Sequence, residues 1–174
     1  MKYLKSLILC IFVSTILYAQ DYPRLNLWTH NEKFSEGDSI IMVKGYVSPE
    51  LINEYNEICE VRFKENYKTK NESELNENSE KQHLFFIGLS NGFKHIDKFL
   101  PSAFKIINDG FAIGPYKFTD SLDVIWMYSN DGKRLFHLGN SMEALRSTFA
   151  INIGMEQYTI VHNHKPTHFG NLKR

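Results

Sequence analysis

The sequence has no excess of either charge. Its 20 Lys+Arg stand against 20 Asp+Glu across 174 residues, so it lacks the basic surplus that draws proteins to nucleic-acid phosphates, and that class is set aside first. Cysteine is nearly absent. Two residues, Cys10 and Cys59, cannot build a disulfide framework. No internal repeat recurs, which argues against solenoids and propellers. Long apolar runs are missing too: residues 7–17 make a run well short of the about 20 residues that a membrane span needs. What the chain does have is core-forming material, with 43% hydrophobic residues and 14% aromatic ones, led by 13 Phe and 9 Tyr. Disorder throughout is therefore not expected, and the length fits one domain with a short appendage.

The first residues form that appendage. Lys2 and Lys5 precede the apolar run, and Tyr18-Ala19-Gln20 follows it. This is the anatomy of a signal peptide over residues 1–19, cleaved after Ala19. Cys10 is preceded by Leu9 where a lipid-anchor signal needs a small residue, so no lipid anchor is expected. Cleavage would leave 18 basic against 20 acidic residues and a lone Cys59, in a chain working outside the cytoplasm, periplasmic or secreted, with no membrane contact. Cys59 itself reads as a buried helix position.

Residues 20–47 form a short N-terminal segment with a strand at 24–30 and an apolar, β-branched one at 39–43. Ser48-Pro49-Glu50 is a helix start, and Leu51, Ile52, Tyr55, Ile58, Cys59 and Phe63 then recur at helical spacing. Residues 68–82 are almost wholly polar and read as a solvated loop. His83-Leu84-Phe85-Phe86-Ile87 reads as a strand buried on both faces. A helix is expected from Phe93 to Leu100, ended by Pro101. Further strands are expected at 124–129 and 157–162, a short helix capped by Ser141 between them, and a polar tail from His164. Strands alternating with helices point to an α/β fold.

One motif carries chemistry. Gly88-Leu89-Ser90-Asn91-Gly92 follows the buried strand and precedes the expected helix. A nucleophile elbow needs that context, because flanking glycines let a sharp turn present a strained serine at the sheet edge. A serine hydroxyl also needs a histidine to take its proton and an acid to orient that histidine. Asp131 follows the strand at 124–129, and His168 follows the strand at 157–162, in the chain order that such folds use.

On these residues the chain resembles the serine esterases of the α/β-hydrolase superfamily, the branch of S-formylglutathione hydrolase and the feruloyl and siderophore esterases. The resemblance covers about residues 48–170. It implies an α/β fold with a mostly parallel sheet and helices on both faces, lacking the early strands of the family. It further implies Ser90 as nucleophile, His168 as general base and acid, Asp131 as the orienting carboxylate, and the Asn91 N–H as an oxyanion donor. The expected activity is hydrolysis of a small-molecule ester through an acyl-serine, with no cofactor. An incomplete sheet would also leave an edge through which two copies could pair.

Rival readings accompany each of these. Asn130-Asp131-Gly132 is a hairpin signal between 124–129 and 134–138. His162, His164 and His168 fit a zinc site but lack a fourth ligand, so no metal is expected. Asp120 and Asp123 precede their strand and are poorer acids. The alternative function is a non-catalytic extracytoplasmic protein that keeps the scaffold and binds a ligand.

Overall fold

A computed structural model describes residues 40–62, 68–131, 133–148 and 156–172 of the chain. The expected signal peptide and the strand at 24–30 lie outside the described residues. Ten strands are described: β1 (Ile40–Lys44), β2 (Lys68–Asn71), β3 (His83–Leu89), β4 (Phe104–Ile107), β5 (Gly110–Ile113), β6 (Tyr116–Phe118), β7 (Asp123–Tyr128), β8 (Arg134–Gly139), β9 (Tyr158–His162) and β10 (Lys165–Gly170). The α-helices are α1 (Ile52–Arg62), α2 (Glu77–Glu80) and α3 (Met142–Ser147). Seven strands form one sheet in the order β10-β9-β7-β8-β3-β1-β2, and β4-β5-β6 form a second, smaller sheet.

The inner strands of the large sheet are buried on both faces, and side-chain alternation sorts their residues between two cores. Ile40, Met42, Phe85, Ile87, Val124, Trp126, Leu135 and Val161 pack against Tyr55, Ile58 and Cys59 of α1 and Ala144 and Leu145 of α3. Their neighbours Ile41, Val43, Leu84, Phe86, Ile125, Met127, Phe136 and Ile160 face the other way, onto Phe104, Phe111 and Phe118 of the small sheet. The result is three layers, with helices on one face and a small antiparallel sheet on the other.

This corrects the expected α/β-hydrolase architecture. The large sheet is mixed: β1, β2, β3 and β8 run parallel, whereas β7 is antiparallel to β8 and β9, and β10 to β9. The segment expected as a helix after Gly92 is instead extended at Phe93 and then one 3-10 turn, Ile96–Phe99. Phe93, Ile96 and Phe99 recur every three residues, which suits the three-residue repeat of a 3-10 turn better than the α period. All three are buried in the second core. Two short hairpins, turning at Asn108-Asp109 and at Gly114-Pro115, then take the place of a second helical layer.

Two polar stretches are also more ordered than their composition implies. Within 68–82, β2 pairs with β1 in parallel, with its side chains largely exposed. An edge strand held by backbone hydrogen bonds needs no apolar alternation. The expected polar tail forms β10, reached through a turn whose Asn163 and His164 adopt φ of 45° and 62°. Both outer strands carry features that discourage edge-to-edge pairing: Lys68 and Lys70 on β2, and Pro166 with a register shift on β10.

Tyr55 ties α1 to the sheet. Its hydroxyl donates to the Ile87 carbonyl at 2.6 Å and accepts from the Gly45 N–H at 3.0 Å. Burial holds the phenol far above its ordinary pKa range, so it remains a donor at any working pH. Tyr55→Phe removes both bonds with little change of shape. We expect a loss of about 1–2 kcal/mol in urea unfolding with an unchanged m value.

Candidate functional site

The residues expected to form a triad do not meet. Ser90 opens a 3-10 turn, Ser90–Gly92, at the end of β3. It is 4% exposed, and its Oγ donates to Asn140 Oδ1 at 3.0 Å. Asn140 in turn donates through Nδ2 to the Phe118 and Asp120 carbonyls. Ser90 thus belongs to a clamp joining the ends of β3 and β8 to the small sheet. Asn91 lies exposed in the same turn, while the Ser90 hydroxyl beside it is directed inward.

Asp131 occupies the turn of the β7–β8 hairpin. The register runs from Leu84 opposite Arg134 to Leu89 opposite Gly139, so Asp131 and Ser90 lie at opposite ends of this ladder. That ladder spans on the order of 17 Å. Although burial works to raise the Asp131 pKa, the Ser129 hydroxyl, the Lys133 N–H and the Arg134 guanidinium together hold the carboxyl below its ordinary range. These contacts are those of a hairpin turn. His168 lies on β10, separated from β3 by β9, β7 and β8 in the sheet order, on the order of 19 Å at about 4.8 Å per strand. Its ring packs edge-on against Phe118, with centroids 5.1 Å apart.

The three C-terminal histidines do not converge either. His162 bonds through Nδ1 to Asp123 Oδ1 at 2.9 Å, and His164 donates from Nδ1 to the Ser147 carbonyl at 3.0 Å, while His168 faces Phe118. No group of three or more metal-ligating side chains occurs among the described residues. The Asp123–His162 pair was missed because acid and imidazole meet only through the β7–β9 register, in which they are direct partners.

A concavity among the described residues lies elsewhere. A crevice of about 470 Å³ is lined by Lys44, Tyr46, Asn71, Glu72, Ser73, Gly92 and Lys94. These residues follow, or end, the three parallel strands β1, β2 and β3. Chain order explains its position. β1 is succeeded by β2 on one side and then by β3 on the other, so sheet growth reverses at β1. In open sheets with parallel strands, ligands bind outside the carboxyl ends of the strands at such a reversal, where successive connections diverge.

Local sequence holds the crevice in shape. The Tyr46 N–H donates to the Gly92 carbonyl at 2.7 Å, and a Cβ on Gly92 would stand 2.6 Å from the Tyr46 carbonyl oxygen. Gly88 adopts φ +153°, where a side chain is strained. Gly92 is therefore needed for the two loops to touch, whereas Gly88 is held to glycine by its φ and by the Tyr55 and Phe93 side chains packed against it. On the far wall, the Glu72 carboxylate accepts from the Lys94 N–H at 2.7 Å and the His95 N–H at 2.8 Å, fastening the β2 exit to the β3 exit. A second cavity of about 430 Å³, lined in part by Lys98, Ser102, Asp131 and Arg134, lies at the opposite end of the sheet.

Comparison with protein-family models, curated proteins and solved structures finds no match to this chain. Among the described residues, no helix is long and apolar enough to cross a membrane.

Cys59 sits in the helix-side core at 2% exposure. Burial pushes its thiol up to about 11, against the pull of the nearby Lys44 ammonium. Because the fold favours the neutral thiol, its contribution to stability is complete below the unfolded value of about 8.5. That contribution is lost as pH rises through about 11. We expect no reaction with a disulfide reagent near pH 8 until the chain unfolds, and a smaller loss of stability between about pH 8 and about pH 11 in Cys59→Ala than in the parent. Thiol titration alongside unfolding curves at both pH values checks this.

Proposed function

We propose that the chain is a non-catalytic, extracytoplasmic domain that binds a small molecule in the crevice at the carboxyl ends of β1, β2 and β3. The observation that carries this reading is the coincidence of a crevice of about 470 Å³ with the reversal of sheet growth at β1. Such volumes suit small ligands. The walls come from strand ends and from loops fastened by backbone hydrogen bonds, which supports a site formed before ligand arrives.

The acyl-serine route is the less favoured reading. It needs the Ser90 hydroxyl to reach both a histidine and a substrate, whereas that hydroxyl is buried and committed to Asn140. An exported location is proposed on the charged start and the apolar run of residues 7–17.

Ser73 is exposed on the crevice wall, and Ser102 is exposed in the second cavity. A library of small metabolites, screened by thermal shift, should contain compounds that raise the midpoint by several degrees. The stabilisation is about 2.7 kcal/mol when ligand is present at about a hundred times Kd. Ser73→Trp should abolish those shifts, and Ser102→Trp should leave them intact. The opposite pattern, or no stabilising compound at all, contradicts the proposal.

A further inference from the structure

We infer that the ligand of this crevice carries an oxyanion, such as a phosphate ester group, on a flat apolar body. This rests on the reading of the crevice as a binding site and adds to it the chemical class of the occupant.

The charges of the lining decide the sign. Lys44 ends β1 and Lys94 lies in the loop after β3, so two lysines line one crevice from adjacent strand exits, the Lys44 Nζ lying 5.9 Å from the centre of the Tyr55 ring. Among the described residues neither forms an ion pair with a carboxylate; the Lys44 Nζ donates to the neutral Asn56 Oδ1 at 3.1 Å. One carboxylate, Glu72, also lines the crevice, but its two oxygens each accept a backbone N–H, from Lys94 and His95. Its role in fastening the loop leaves two cations against a single, already hydrogen-bonded anion. An incoming oxyanion gains charge-assisted hydrogen bonds from the lysines. Asn71 and Ser73 add neutral polar groups on the opposite wall.

The second half of the ligand is inferred from Tyr46. This aromatic side chain is 72% exposed at the mouth of the crevice, while its backbone is pinned to Gly92. A ring held out on a fixed backbone offers a flat apolar surface and loses little freedom when another ring stacks on it.

The test is an amide-resolved NMR titration of the ¹⁵N-labelled protein at constant ionic strength with three probes: phenyl phosphate, inorganic phosphate and phenol. Phenyl phosphate should move the amide signals of Ser73, Gly92 and Lys94 saturably, and more tightly than inorganic phosphate does. Lys44→Gln and Lys94→Gln, each with a parent-like spectrum elsewhere, should each weaken both anions about tenfold. Tyr46→Ala should weaken phenyl phosphate and leave inorganic phosphate unchanged. If a neutral compound binds the crevice while both anions fail, the oxyanion inference is overturned and the binding-site reading stands. If no probe and no library compound moves these amides, both are overturned. Unchanged anion affinity in the two lysine variants also overturns the inference.

Discussion

The point on which the rest of the molecule depends is the close approach of the β1 and β3 exits, drawn together under the Tyr55 hydroxyl. The Gly45 N–H is shared between that hydroxyl and the Ile87 carbonyl, and the hydroxyl itself donates to Ile87. One buried side chain from α1 thereby satisfies backbone groups of two parallel strands where their ladder ends. Beyond it the loops touch again, Tyr46 to Gly92, with no room for a side chain on the glycine. The crevice opens beside this contact, and its dimensions follow from how tightly the contact is made. A site walled by strand ends inherits the rigidity of the sheet, which lowers the ordering cost of binding.

The two faces of the sheet are covered by different physics. On the helix side, α1 lays Tyr55, Ile58 and Cys59 and α3 lays Met142, Ala144 and Leu145 on the strands, and Trp126 stacks between Phe85 and His137. On the other side the covering is aromatic. Phe86 packs with Phe93, Phe99 and Phe136, while Phe104, Phe111 and Phe118 stack in sequence across the small sheet at 5.8 and 5.5 Å. Large rings on short hairpins can cover a sheet face without a helix. The Ser90–Asn140 clamp ties this small sheet to the ends of β3 and β8, which accounts for a buried serine in that position.

Much of the local structure was legible in the residues. Pro49 opens the turn that leads into α1, Ser141 caps α3 through the Ala144 N–H, and the unbroken apolar run of β3 foretells its burial on both faces. The hairpin signal between β7 and β8 is borne out, because the two strands pair antiparallel and the Asp131 carboxylate accepts from the Lys133 N–H. The G-x-S-x-G motif was legible as a strand and a turn, but the helix expected after it is an extended residue and one 3-10 turn, and its purpose was not legible. Gly92 serves the approach of two backbones, Gly88 a positive φ under the Tyr55 hydroxyl, and the serine faces inward. What could not be read was the assembly. Nothing local in Lys68–Asn71 announces a parallel partner for β1, and Lys44, Tyr46 and Lys94 become neighbours only once the strand order is known. Asp123 and His162 likewise meet through register alone.

The central claim is that the G-x-S-x-G segment builds the wall of a binding crevice and holds its serine in a structural clamp. Treating the folded protein with a fluorophosphonate probe, followed by peptide mapping, tests this most directly. A hydroxyl that is buried, donates to Asn140 and bonds to no histidine among the described residues should give no adduct at Ser90, even after long exposure. A fluorophosphonate adduct on Ser90 of the folded chain, lost in Ser90→Ala, would contradict the account and restore the serine as a nucleophile.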